Sequence, residues 1–135
     1  MYILSLKSLP RFYKNNGQHA EQVVRYTLTG RIMRADNKPH SAAADCGNLQ
    51  IKSARATVCA GTDIFSYIEA DVATSYGYVT ADFSRIYIMT PEEYIIFVQA
   101  FGTVTKNSEK NGGKEKIRLK SENWDMISWL NSYVK

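Results

Sequence analysis

The four residues Thr90-Pro91-Glu92-Glu93 constrain the fold of this chain more than any others. Thr90 caps, Pro91 takes the first helical position, and Glu93 completes a capping box. In such a box the hydroxyl and the carboxylate each accept from a backbone N–H that the first turn leaves unpaired, and proline has no N–H to lose there. A helix therefore begins at Pro91 and runs to about Phe101, where Gly102 ends it. Upstream, Tyr76–Thr80 and Arg85–Met89 read as strands joined around Ala81-Asp82-Phe83-Ser84.

The other elements follow from periodicity. Residues 2–6 are apolar, but Pro10 stops any long element. Asn15-Asn16-Gly17 is a turn leading into a helix from Gln18 to Thr29, in which Ala20, Val23, Val24 and Leu28 supply the apolar stripe and Gly30 the stop. Arg31–Ala35 reads as a short strand, closed by Asp36-Asn37-Lys38-Pro39. Two runs, Ser41–Cys46 and Leu49–Ser53, flank Gly47-Asn48, and a two-residue Gly-Asn loop signals a β-hairpin. Its second arm is expected to extend through Thr57 and Val58. Thr62 can cap a helix carrying Ile64, Phe65, Ile68 and Val72. Residues 103–115 read as a mobile basic loop, Lys116–Lys120 as a half-exposed strand, and Ser121 or Asn123 as the cap of a last helix with Trp124, Ile127, Trp129 and Leu130 on its apolar side. The expected fold is a single mixed α/β domain over residues 1–135, with helices flanking a central mixed sheet.

Charge is distributed unevenly. Residues 1–60 hold nine Lys/Arg against three Asp/Glu, residues 61–102 one against six, and residues 103–135 seven against four. If the basic ends fold together they make a positive face suited to phosphate. No apolar run reaches the roughly 18 residues a membrane span needs. The N-terminus lacks the pattern of a secretory signal, so a cytoplasmic protein is expected. Cys46 and Cys59 form no CxxC pair, which argues against a zinc knuckle and for two reduced structural thiols. His19 and His40 read as surface residues.

One constellation carries chemistry. In the Gly47-Asn48 hairpin Asp45 stands opposite Gln50, cross-strand partners share a face about 5 Å apart, and Lys52 returns to that face by the period of two. Leu49 and Ile51 point the other way, to a core. An acid, an amide and an amine together suit phosphodiester hydrolysis: a carboxylate and an amide oxygen hold a hard cation, and the ammonium stabilises developing negative charge. A second acid is expected in Glu21, at the edge of the first helix's apolar face, with Asp36 in reserve.

Asp45…Gln50-Ile51-Lys52 behind a helix carrying Glu21 resembles the core of the PD-(D/E)xK nuclease superfamily, over roughly residues 18–60. Ala44 stands where the motif has proline, and Gln50 replaces the commoner glutamate, which removes a negative charge from the ion's shell. The resemblance implies a restriction-endonuclease-like core with the site on its hairpin. It further implies Mg²⁺ (or Mn²⁺) held by Asp45, Gln50, the Ile51 carbonyl and Glu21, with Lys52 assisting the attacking water. The implied activity is a metal-dependent endonuclease acting on nucleic acid, DNA first; because a chain this short offers little separate recognition machinery, a homodimer or a larger complex is expected. Arg55, Lys106, Lys110, Lys114, Lys116, Arg118 and Lys120 are the expected phosphate contacts. The competing expectations are a non-catalytic nucleic-acid-binding module of the same fold and a phage-borne protein-interaction domain.

Overall fold

A computed structural model of the chain describes residues 1–31, 48–61, 75–106 and 115–135. In order these form β1 (Tyr2–Ser5), α1 (Asn16–Thr29), β2 (Leu49–Ser53), β3 (Thr57–Gly61), β4 (Ser75–Val79), β5 (Arg85–Met89), α2 (Pro91–Phe101), β6 (Gly102–Lys106), β7 (Glu115–Leu119) and α3 (Trp124–Ser132). The protein is mixed α+β, and its central sheet is mixed: four strands in the order β1-β5-β4-β2, with β2 parallel to β4 and the other pairs antiparallel. A second, antiparallel sheet has the order β3-β7-β6.

Local signals explain the element ends. Asn15 caps α1 by accepting from the Gln18 N–H, and Gly30 closes it in the left-handed region at φ 72°. The Thr90/Glu93 box is complete, with both hydrogen bonds formed at 3.2 and 3.0 Å. Asn123, not Ser121, caps α3. The β4–β5 turn is held by Asp82, whose Oδ1 accepts from the Thr80 hydroxyl at 2.7 Å and from Ser84 N–H and O–H at 3.1 and 2.6 Å.

The central sheet buries both faces. On one, Leu49 and Ile51 join Val79, Ile86 and Ile88 beneath Ala20 and Val24 of α1. On the other, Tyr76, Tyr78, Tyr87 and Met89 meet Tyr94, Phe97 and Val98 of α2, Met126 and Leu130 of α3, and Ile117 and Leu119 of β7. Ring pairs knit this second core: Tyr76 stacks on Tyr94 at 4.1 Å, and Phe97 lies 5.4 Å from Tyr78.

Five expectations need correction. β2 does not run on through Thr57 and Val58. It stops at Ser53, where the Ala56 N–H turns back to the Ser53 carbonyl at 3.1 Å and Arg55 takes φ 65°, and the next strand joins the other sheet. Residues 103–106 and Glu115 of the expected basic loop are strand, since β6 occupies Gly102–Lys106 and Glu115 belongs to β7; the rest of that loop lies outside the described residues. Leu28 is exposed. His19 is buried at 5% exposure, its ring edge-on to Phe83 at 4.6 Å, and burial followed by the Arg11 charge lowers its pKa. Trp124 faces solvent because Met126 and Leu130 hold the core stripe of α3. The expected strand 31–35, the first arm of the hairpin at 41–46, the helix after Thr62 and His40 lie outside the described residues.

Candidate functional site

β2 places the site residues. Its burial alternates, with Leu49, Ile51 and Ser53 buried and Gln50 and Lys52 half-buried. A strand's period of two therefore sends Gln50 and Lys52 to one face and Leu49 and Ile51 to the α1 core. The parallel ladder pairs Gln50 with Tyr76 and Lys52 with Tyr78, so the polar pair shares the face of the α2/α3 core. β2 ends the strand order of that sheet, and the two side chains stand at the core's margin, beside Tyr76 and Tyr78, which are 1% and 0% exposed.

The Gln50 amide oxygen is buried and has no hydrogen-bond partner among the described residues. A buried carbonyl left unpaired costs about 1–3 kcal/mol, so such an atom calls for a ligand or another explanation. An amide oxygen of this kind suits a hard cation such as Mg²⁺. The carboxylate expected beside it, Asp45, lies outside the described residues, as does the reserve, Asp36. Among the described residues no three His, Cys, Asp or Glu side chains come together.

The structure does not bring Glu21 to the same face. Glu21 follows Ala20 on α1, and α1 rests on the Leu49/Ile51 side of the sheet. A carboxylate there reaches Gln50 and Lys52 only round the β2 edge. The Ile51 side chain is buried at 6% exposure, as the alternation required.

The expected phosphate contacts divide into two groups. Arg55, Arg118 and Lys120 are exposed, and their backbone segments are neighbours. Thr57, two residues beyond Arg55, pairs with Arg118 across β3 and β7, and the Leu119 N–H donates to the Ala56 carbonyl at 2.9 Å, which sets the Arg55 turn against the end of β7. Arg55 is three residues beyond Lys52, in the turn that ends β2 and leads to the other sheet. Lys106 and Lys116 contribute backbone to β6 and β7 with their side chains outside the description, and Lys110 and Lys114 lie outside the described residues.

Sequence reasoning missed two features. The tyrosines that flank Gln50 and Lys52 follow from the β2–β4 pairing, which joins segments more than twenty residues apart and leaves no local trace. The exposure of Trp124 was readable, since it sits two residues off the Met126/Leu130 spacing. No helix among the described residues is long and apolar enough to cross a membrane. No family model, no curated protein and no solved structure matches the chain.

Proposed function

We propose that the chain is a small metal-dependent nuclease with a restriction-endonuclease-like core. The observation that carries this reading is the pairing, on one face of β2, of a buried and unpartnered Gln50 oxygen with Lys52 two residues on. In this reading Asp45 and Gln50 offer side-chain oxygens and Ile51 its carbonyl to Mg²⁺, and Glu21 joins only through water or round the strand edge. When bound, the ion would supply Lewis acidity at the phosphate. Lys52 orients the attacking water and faces the charge that builds on the phosphoryl oxygens. Water adds to phosphorus as the bond to the 3′-oxygen breaks, the leaving oxygen takes up a proton in exchange for the one that water loses, and the products are a 5′-phosphate and a 3′-hydroxyl, as the superfamily resemblance implies. Arg55, Arg118 and Lys120 hold the backbone of the nucleic acid.

The test is supercoiled plasmid incubated with Mg²⁺ or Mn²⁺. Wild-type protein nicks it only with metal, and Lys52→Ala lowers the rate on the order of 10²–10³-fold. Equal cutting by both proteins refutes the assigned mechanism. A second reading, a binding module without catalysis, is favoured by the neutral Gln50 in place of an acid and by a cation group at Arg55, Arg118 and Lys120 that needs no metal. Salt-dependent DNA binding with no cleavage across several divalent metals selects it.

A further inference from the structure

Trp124 is 79% exposed, the most exposed of the large apolar side chains described. Its backbone is nonetheless fixed. The connection from β7 to α3 is tied at three points. The Lys120 N–H donates to the Phe101 carbonyl at 2.9 Å. The Glu122 Oε1 accepts from the Tyr78 hydroxyl at 2.8 Å and the Ala81 N–H at 3.0 Å. The Asn123 Oδ1 accepts from the Met126 N–H at 2.8 Å. At about 100° per residue, Trp124 stands roughly 200° round α3 from Met126, and Met126 is fully buried. The indole therefore projects away from the core on a rigid base.

The cations lie close by. Ile117 and Leu119 are buried, so Arg118 and Lys120 take the outer side of β7, where both are exposed. Arg55 is held next to them through the Ala56–Leu119 hydrogen bond. Trp124 lies four positions beyond Lys120, a span of at most about 14 Å, or about four nucleotides of a stacked strand. Asp125, exposed in the first turn of α3, is the acidic neighbour, so phosphates belong on the Arg118/Lys120 side and a base on the indole. A fixed exposed indole beside a cation group is the chemistry that binds single-stranded nucleic acid, where stacking supplies about 1–3 kcal/mol per base and cations track the backbone.

We propose that Trp124 is a base-stacking platform which, with Arg55, Arg118 and Lys120 on the phosphates, makes an unpaired strand the preferred ligand. This rests on the nucleic-acid reading above, and it is tested without metal so that the two fail separately. The probe is a 20-nucleotide oligothymidylate, against a duplex of the same length, in EDTA at low salt, followed by tryptophan fluorescence and by anisotropy of the labelled strand. Trp129, packed against Phe97, Phe101 and Tyr133, serves as the internal reference. Oligothymidylate quenches wild-type emission, and Trp124→Phe loses that quenching while keeping most of the affinity. Trp124→Ala weakens single-strand binding about 5- to 150-fold and duplex binding less than about two-fold. Arg118→Ala with Lys120→Ala lowers the salt slope for the single strand by about 1.4. The proposal is overturned if Trp124→Ala binds oligothymidylate like wild type, if it loses equally on duplex, or if wild type binds neither. Absence of plasmid nicking alongside intact quenching overturns the nuclease reading alone.

Discussion

Replacing Gln50 by Met should stabilise the protein in the absence of metal and remove its response to metal. The side chain keeps its length, but the amide oxygen, buried without a partner, gives way to a thioether that asks for no hydrogen bond. An unpaired buried acceptor costs about 1–3 kcal/mol. Gln50 as a residue is half-buried, so the lower end, about 1 kcal/mol, applies. For a chain of 135 residues that is a rise in Tm of about 3–5 °C. Bound Mg²⁺ reverses the order: an ion held only by the folded state adds about 2.7 kcal/mol at a hundred times its Kd, and only the wild type gains it. The assay is thermal and urea unfolding of both proteins in EDTA and across a Mg²⁺ titration, expecting two curves that cross. The reasoning is refuted if Gln50→Met is equally or less stable in EDTA, which would mean the oxygen is well satisfied. Equal stabilisation of both proteins by Mg²⁺ refutes it too, since Gln50 would then be no ligand.

Two further outcomes test the frame around the site. Hydrogen bonds from the Ser84 and Thr80 side chains, with the Ser84 backbone, hold the Asp82 carboxyl at about 2. Because the folded value lies below the unfolded one, the stabilisation is present above about pH 4 and is lost as pH falls toward 2; Asp82→Ala costs about 1 kcal/mol at neutral pH and flattens that part of a stability–pH curve. A Cβ added at Gly102 would stand 2.5 Å from the Val98 carbonyl oxygen and 2.8 Å from Ile117 Cγ2, and the carbonyl cannot move without disturbing α2. Gly102→Ala therefore costs about 1–3 kcal/mol in urea unfolding with an unchanged m-value.

What could be read from the sequence was what short stretches decide. The Thr90-Pro91 start, the helix entry at Asn15-Asn16-Gly17, the Gly30 stop and the β4–β5 turn around Asp82 involve atoms within about five residues of one another, and all four formed. The alternation of β2 was likewise local, so the shared face of Gln50 and Lys52 and the burial of Ile51 could be stated in advance. The covering of each face was not legible. Which side of the sheet α1 takes depends on how the chain crosses over between β1 and β2, and that geometry separated Glu21 from Gln50 and Lys52. Arg55 shows a subtler limit: a non-glycine residue at positive φ is uncommon, nothing in Ser53-Ala54-Arg55-Ala56 announces it, and that turn is what sends β3 to the other sheet. His19 was misplaced because composition favours an exposed histidine, whereas the Phe83 ring at the β4–β5 turn draws this one inside.

The position of the polar pair bears on what it can do. At β4 and β5 the face that carries Gln50 and Lys52 is sealed: Tyr76, Tyr78, Tyr87 and Met89 are covered by α2, α3 and β7. At β2 the cover thins and both residues are half-exposed. An amide and an ammonium in full solvent would act through a high dielectric and be screened. The same groups deep inside would cost too much to desolvate and admit no substrate. The margin of an apolar core avoids both extremes: the buried tyrosines exclude water on one side, and in the proposed reading a phosphate approaches from the other. Next to that margin the turn at Arg55 is tied to the end of β7, beside the exposed Arg118 and Lys120; in the proposed reading the apolar core shapes the site and those cations hold the backbone of the nucleic acid.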